Sequence, residues 1–224
     1  MSDLSRINGF TPVRPVRLEG QYLTLEPFNG DDHVAALWKA LGEEKIDELL
    51  HFFPQEPFKT VDSFSQWLYA VQNNWVTLVA VDKSNGEVVG MASYMRPDSV
   101  FGVVEVGSVA HGARMGRSRL STEMHYLMAK HVFEDLKYRR YEWKCHSENQ
   151  PSRKTALRFG FSYEGTFRQH MISKGKNRDT AWFSIIDAEW PKVSAAFEAW
   201  LAPENFDSEG QQKRKLEEIR EGLL

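Results

Sequence analysis

Apolar and polar positions change period several times along this chain, and each change marks an element. QYLTLEPF (21–28) alternates and ends at a turn, which predicts a strand. DDHVAALWKAL (31–41) sets Val34, Leu37, Trp38 and Leu41 at helical spacing behind an aspartate cap, and TVDSFSQWLYAVQNN (60–74) repeats the device with Phe64, Trp67, Leu68 and Val71. Between them HFFPQEPF (51–58) carries two prolines and reads as a loop with exposed aromatics. WVTLVAVD (75–82) and EVVGMASYM (87–95) flank Lys83-Ser84-Asn85-Gly86, an Asn-Gly hairpin turn. After an Arg96-Pro97-Asp98 turn, GVVEVGSVA (102–110) predicts a third strand.

HGARMGRSR leads into a helix, LSTEMHYLMAKHVFEDL (120–136), striped by Leu120, Met124, Leu127, Met128, Val132 and Leu136. YRRYEWKCH (138–146) alternates, with Tyr141, Trp143 and Cys145 on one face and Glu142, Lys144 and His146 on the other. Asn149 then caps a short helix, Pro151 fits its first turn, and Gly160 takes the left-handed position that ends it. TFRQHMIS and DTAWFSIIDAEW form a last strand pair, joined through residues 174–177, and PKVSAAFEAWL (191–201) is a helix. The order β-α-α-β-β-β-α-β-α-β-β gives one mixed α/β domain over residues 1–202. A charged helical tail, 203–224, follows, with Leu216, Ile219 and Leu223 as its apolar points.

Composition narrows the chemistry. The 224 residues are 42% hydrophobic with 14 Phe and 7 Trp, enough for a sizeable core. A net charge of −3 argues against sequence-independent nucleic-acid binding. Cys145, the single cysteine, excludes an internal disulfide and a cysteine zinc cluster, and suits a reducing compartment. The seven histidines show no His-x-x-x-His spacing, so no metal is expected. No apolar run suits a signal peptide or a membrane span, and the expected location is the cytoplasm.

VEVGSVA before a polar loop and helix, followed by EWKCHSENQPSRKTALRFGFSYEGTFRQH, resembles the GNAT superfamily of acetyl-CoA-dependent N-acetyltransferases, closest to the branch that acetylates ribosomal-protein N-termini. The specific part is Asn149-x-x-Ser152, Gly160-Phe161 and Glu164-Gly165 in that order after the Cys145 strand. The resemblance implies a largely antiparallel sheet whose central strands splay apart, with flanking helices, and pantetheine held in the wedge. It implies that Ser108 and Val109 border the pantetheine arm, that Asn149 holds its amide, and that Ser152 protonates the leaving thiolate. The Arg114–Leu120 turn would bind the pyrophosphate, through Arg114, Gly116, Arg117, Ser118 and Arg119. Its usual glycines are displaced here. Either Arg114 takes the first place with Arg117 and Arg119 in the glycine places, or Gly116 and Ser118 are the small residues and Ala113 stands in the polar place; a solvated basic turn is the remaining reading.

Glu105 is the candidate general base, its pKa raised by an apolar setting, with an outward strand position as the alternative. A backbone N–H near Val109 would bind the oxyanion. His170 is a second base or a substrate contact, or structural; Tyr163 is an alternative proton donor or core. Arg168, Arg178 and Asp179 line an acceptor pocket or a solvated surface. Cys145 reads as buried packing, which favours direct attack over a cysteine intermediate. The expected partners are acetyl-CoA and an amine, a protein N-terminus or a small molecule, with a homodimer left open and no membrane. A non-catalytic acyl-CoA-binding module is the alternative function.

Overall fold

The computed structural model describes residues 9–116 and 118–223. Two short strands, β1 (Leu18–Glu19) and β2 (Leu23–Pro27), precede helices α1 (Asp31–Ala40), α2 (Ile46–Leu49) and α3 (Val61–Val71). Strands β3 (Val76–Asp82), β4 (Val88–Asp98) and β5 (Val103–His111) follow, then α4 (Arg119–Lys130), which runs on into a wider π-type turn at His131–Asp135. Next come β6 (Arg140–His146), α5 (Gln150–Arg158), β7 (Ser162–Ser173), β8 (Lys176–Ile186), α6 (Trp190–Leu201) and α7 (Leu216–Gly222). The strands form a single sheet ordered β1-β2-β3-β4-β5-β6-β8-β7. Every neighbouring pair is antiparallel except β5 and β6, which are parallel.

Alternation along the strands feeds two apolar layers, one on each face. Leu78 and Ala80 of β3 join Met124, Met128, Phe197 and Trp200 from α4 and α6. Val79, between them, joins Leu37, Phe64 and Leu68 from α1 and α3. In β6 the expected alternation is present, with Tyr141, Trp143 and Cys145 buried and the intervening residues half-buried. The tail is not free of this core, because Leu216 and Ile219 are buried in the same layer as α6. Arg220 fastens it further by donating to the carbonyls of Leu157 and Arg158 at the end of α5.

One turn differs from the sequence expectation. Strand β4 continues through Arg96-Pro97 to Asp98, with Arg96 at φ 48° in a register shift. The turn comes later, at residues 99–102, because the Asp98 carboxylate accepts the N–H groups of Val100 (2.9 Å) and Phe101 (3.0 Å).

The parallel pair sets up the site. β5 and β6 are hydrogen-bonded only from Val103/Arg140 to Val106/Trp143. Beyond that point β5 keeps only its β4 partner, and a bulge carries Ser108 to φ 50°. β6 stays paired with β8 along its whole length, from Arg140 to His146. The two strand ends part, as the resemblance implied.

Candidate active site

A cavity of about 680 Å³ opens where β5 and β6 separate. Its walls come from the bulge of β5, the outward face of β6, the start of α5, strand β8 and the loop after α2. It brings together Glu105, Ser108, Val109, Asn149, Ser152 and His170.

At the α5 end the local chemistry is a helix start. Asn149 accepts the backbone N–H of Ser152 through Oδ1 (3.1 Å), a side-chain cap, and Pro151 occupies the first turn. Gly160 closes the helix at φ 94°. The Ser152 hydroxyl accepts the indole N–H of Trp143 at 2.9 Å, so its own proton is free for another acceptor. Burial pushes the Cys145 thiol up, and Ser152 is the strongest opposing influence. Cys145 is thus a neutral thiol in the wall of the cavity.

Across the cavity Glu105 is buried, but its setting is not the apolar one its neighbours in sequence suggested. Oε2 is held by Lys144 Nζ (2.9 Å) and Arg96 Nε (2.9 Å). Lys144 also pairs with Glu142 (2.8 Å) and lies 3.8 Å from the centre of the Trp182 ring. Both cations therefore engage one oxygen of Glu105, and Oε1 lies on the side of Gly107 that the Met95 sulfur also fills. His170 reaches Thr180 Oγ1 through Nδ1 (3.0 Å) on the hairpin side.

Several candidates lie elsewhere. Tyr163 is exposed, hydrogen-bonded to Thr166 (2.8 Å) and covered by Arg153, and it is neither core nor cavity lining. Arg168 borders a separate shallow recess with Asp179, while Arg178 lines the main cavity. The basic turn is also reassigned in part. Arg114 is committed to Asp82 (2.9 Å) and Glu87 (2.6 Å). The Arg119 guanidinium is sandwiched between Tyr22 (4.8 Å) and Phe206 (4.6 Å), so it holds the tail. Gly116 is exposed, and Arg117 lies outside the described residues. Ser118 precedes α4 without capping it, since its hydroxyl donates to the Met115 carbonyl (2.9 Å). The first-turn N–H groups of α4 consequently have no side-chain cap.

Other cavity residues were not singled out from sequence. Lys144 sits on the outward face of β6, and Thr180 and Trp182 share with Arg178 one face of β8. His111, at the end of β5, is half-buried with Nε2 shut off from solvent and without a partner among the described residues, and desolvation lowers its pKa to about 4. The ring of His125 stands 5.5 Å behind it, with both nitrogens buried and unpartnered. Burial, and then His111 and Arg158, hold its pKa well below the usual histidine range. Among the described residues no group of three or more His, Cys, Asp or Glu is placed to hold a metal, and no helix is long and apolar enough to cross a membrane.

Comparison with known proteins adds an independent line. A family model described as an acetyltransferase (GNAT) domain matches residues 22–162. A GCN5-related N-acetyltransferase from Brucella melitensis is 43% identical and superposes with a TM-score of 0.93, covering 97% of this chain and 100% of that one. A probable acetyltransferase (GNAT family) from Chromobacterium violaceum is 33% identical with a TM-score of 0.78, covering 85% and 96%. A ribosomal-protein-S5-alanine acetyltransferase from Vibrio fischeri, at 19% identity and a TM-score of 0.63 over 78% and 98%, shares the fold. No curated protein matches the sequence.

Proposed function

Since this chain belongs to the GNAT family of acetyltransferases, we propose that it moves the acetyl group of acetyl-CoA onto a primary amine by direct attack. The observation that carries this reading is the parting of β5 from β6 after Val106 and Trp143, over a cavity with Glu105 on one wall and Ser152 on the other.

The residues present fit such a co-substrate. The β5 edge beyond Val106 has no β6 partner, and a pantetheine amide can pair with it as an added strand would. Ser108 Oγ is buried without a partner at that edge. Asn149 lies at the cavity mouth of α5, and the uncapped first turn of α4 offers N–H groups to a pyrophosphate. Arg114 and Arg119 have other partners, so this reading rests the phosphates on main-chain donors, with Arg117 as a further candidate. When bound, acetyl-CoA supplies a thioester that an amine can attack.

Glu105 Oε1 takes the amine proton, directly or through one water, while Oε2 stays on Lys144 and Arg96. The N–H groups of the Ser108–Val109 bulge receive the oxyanion. Ser152 gives its free proton to the departing sulfur, and Trp143 steadies the serine oxygen through the whole step. Cys145, held neutral, takes no covalent part.

Two measurements test the reading. Calorimetric titration with acetyl-CoA should show saturable binding, and thiol release should depend on an added amine. Binding with no amine-dependent thiol release across a broad panel would refute catalysis and leave an acyl-CoA-binding module.

A further inference from the structure

The cavity carries hydrogen-bond donors with nothing to donate to among the described residues. Arg178 Nε and Trp182 Nε1, both on β8, are shut off from solvent without a partner among the described residues. So is Gln55 Nε2, on the loop after α2. An arginine Nε and an indole nitrogen can only donate, whichever way the surrounding network is assigned. Buried donors left unmet are rare in native proteins, so their concentration in one cavity calls for a ligand rich in acceptors.

Charge points the same way. The cavity wall holds Arg96, Lys144 and Arg178 against Glu105, and Glu142 is a second counter-ion on Lys144, which leaves a surplus of one positive charge with histidines neutral. Arg96 and Lys144 are spent on Glu105, whereas Arg178 makes no ion pair among the described residues. Its one side-chain hydrogen bond among the described residues is a weak one, Nη1 to the Met171 sulfur at 3.4 Å. Partial burial lowers the Arg178 pKa, with Glu105 among the charges that oppose the shift without forming an ion pair with it. The pantetheine arm carries no charge that would meet it. The region is also held in shape. Ser173 donates to the Pro54 carbonyl (3.2 Å) and Lys174 to that of His51 (2.9 Å), which clips the Gln55 loop onto the β7–β8 hairpin.

We propose that the acceptor is an amine that carries a carboxylate, bound by Arg178 with Gln55 while its amino group faces Glu105. A free amino acid and the C-terminus of a very short peptide share this chemistry. The assignment rests on the acetyl-transfer reading above for the direction in which the amine points, and on the unmet donors for the carboxylate. An acidic acceptor also fits the charge surplus, since it supplies the half-buried Arg178 guanidinium with a counter-ion.

The test uses matched substrates that differ only in that group: free amino acids against their amides, and dipeptides against dipeptide amides, with acetylated product measured by mass spectrometry. The acid of each active pair should be favoured at least tenfold in kcat/KM, and Arg178→Gln should erase the preference while the fold, checked by circular dichroism, is kept. Amino acids outpacing dipeptides would identify the free form, and the reverse order the peptide. Equal rates on acids and amides in the wild type would overturn the proposal and leave acetyl transfer standing. If no amine is acetylated, calorimetry with the same pairs decides. Selective binding of the acids supports a carboxylate site, and binding of neither form overturns it. Failure to bind acetyl-CoA counts against the transfer reading alone.

Discussion

Removing the Ser152 hydroxyl separates a structural cost from a catalytic one. In Ser152→Ala the backbone N–H still donates to Asn149, so the helix cap survives. What is lost is the acceptor of the Trp143 indole N–H, in a residue only 4% exposed. An orphaned buried donor costs about 1–3 kcal/mol. For a chain of this length each kcal/mol lowers Tm by roughly 2–4 °C, so a drop of about 2–12 °C is expected in a calorimetric melt. The catalytic loss is of another kind. A proton donor to the leaving sulfur acts in the transition state, so kcat should fall by about 10²–10⁴-fold while acetyl-CoA binding changes little. Ser152→Thr, which keeps a hydroxyl, should recover part of both. Steady-state kinetics at a temperature well below the variant's Tm keeps the two effects apart. A variant that melts early but turns over at the wild-type rate would refute the proton-donor role and leave Ser152 as a partner for Trp143.

Glu105→Gln keeps shape but drops the charge that Lys144 and Arg96 share, and should lower kcat by about 10²-fold or more; an unchanged acidic limb in the pH–rate profile would make Glu105 structural only. Arg119→Ala removes two cation–π contacts worth about 0.5–1 kcal/mol each. Limited proteolysis should then cut faster between Ala202 and Leu216, and an acetyl-CoA affinity weakened tenfold instead would return Arg119 to the phosphates. His111, half-buried with its pKa lowered to about 4, binds little proton in the folded state at pH 5, whereas its unfolded form, with a pKa near 6.5, does. Its stabilisation is therefore complete above pH 6.5 and lost as pH falls toward 4, amounting to about 2 kcal/mol at pH 5. Chemical denaturation of His111→Phe at pH 7.5 and pH 5 should show a flatter dependence by that amount, and an unchanged slope would mean His111 is hydrated.

Local rules sufficed wherever one residue type meets one backbone need. Asn149, Pro151 and Gly160 announced the limits of α5, and Asn85-Gly86 announced the β3–β4 hairpin, because caps and left-handed turns depend on a few adjacent atoms. The alternation of β6 revealed both its faces, and the outward one proved to be a cavity wall. What could not be read were partners far apart in sequence. Glu105 looked apolar from Val103, Val104 and Val106, yet its partners come from β4 and β6. The arginines around Gly116 looked like a phosphate cluster, but Asp82, Glu87, Tyr22 and Phe206 claim two of them. Charge along a chain shows how many ions there are, and only the fold decides which of them cancel.

That cancellation bears on the chemistry itself. An alkyl ammonium entering this cavity meets a positive surplus, and neighbouring like charge disfavours its protonated form. The wall thus eases loss of the very proton that must leave before attack, so Glu105 need not be a strong base. Lys144 and Arg96 serve this end while fixing the position of Glu105 through one of its oxygens. Neutralising Lys144 should therefore act in two ways at once. In Lys144→Met the surplus shrinks and Glu105 retains only Arg96, so the apparent pKa for amine attack in the pH–rate profile should rise. Glu105→Gln removes the base but enlarges the surplus, and should move that apparent pKa down as kcat falls. If both variants shift the profile in the same direction, charge in the wall does not set the protonation of the acceptor.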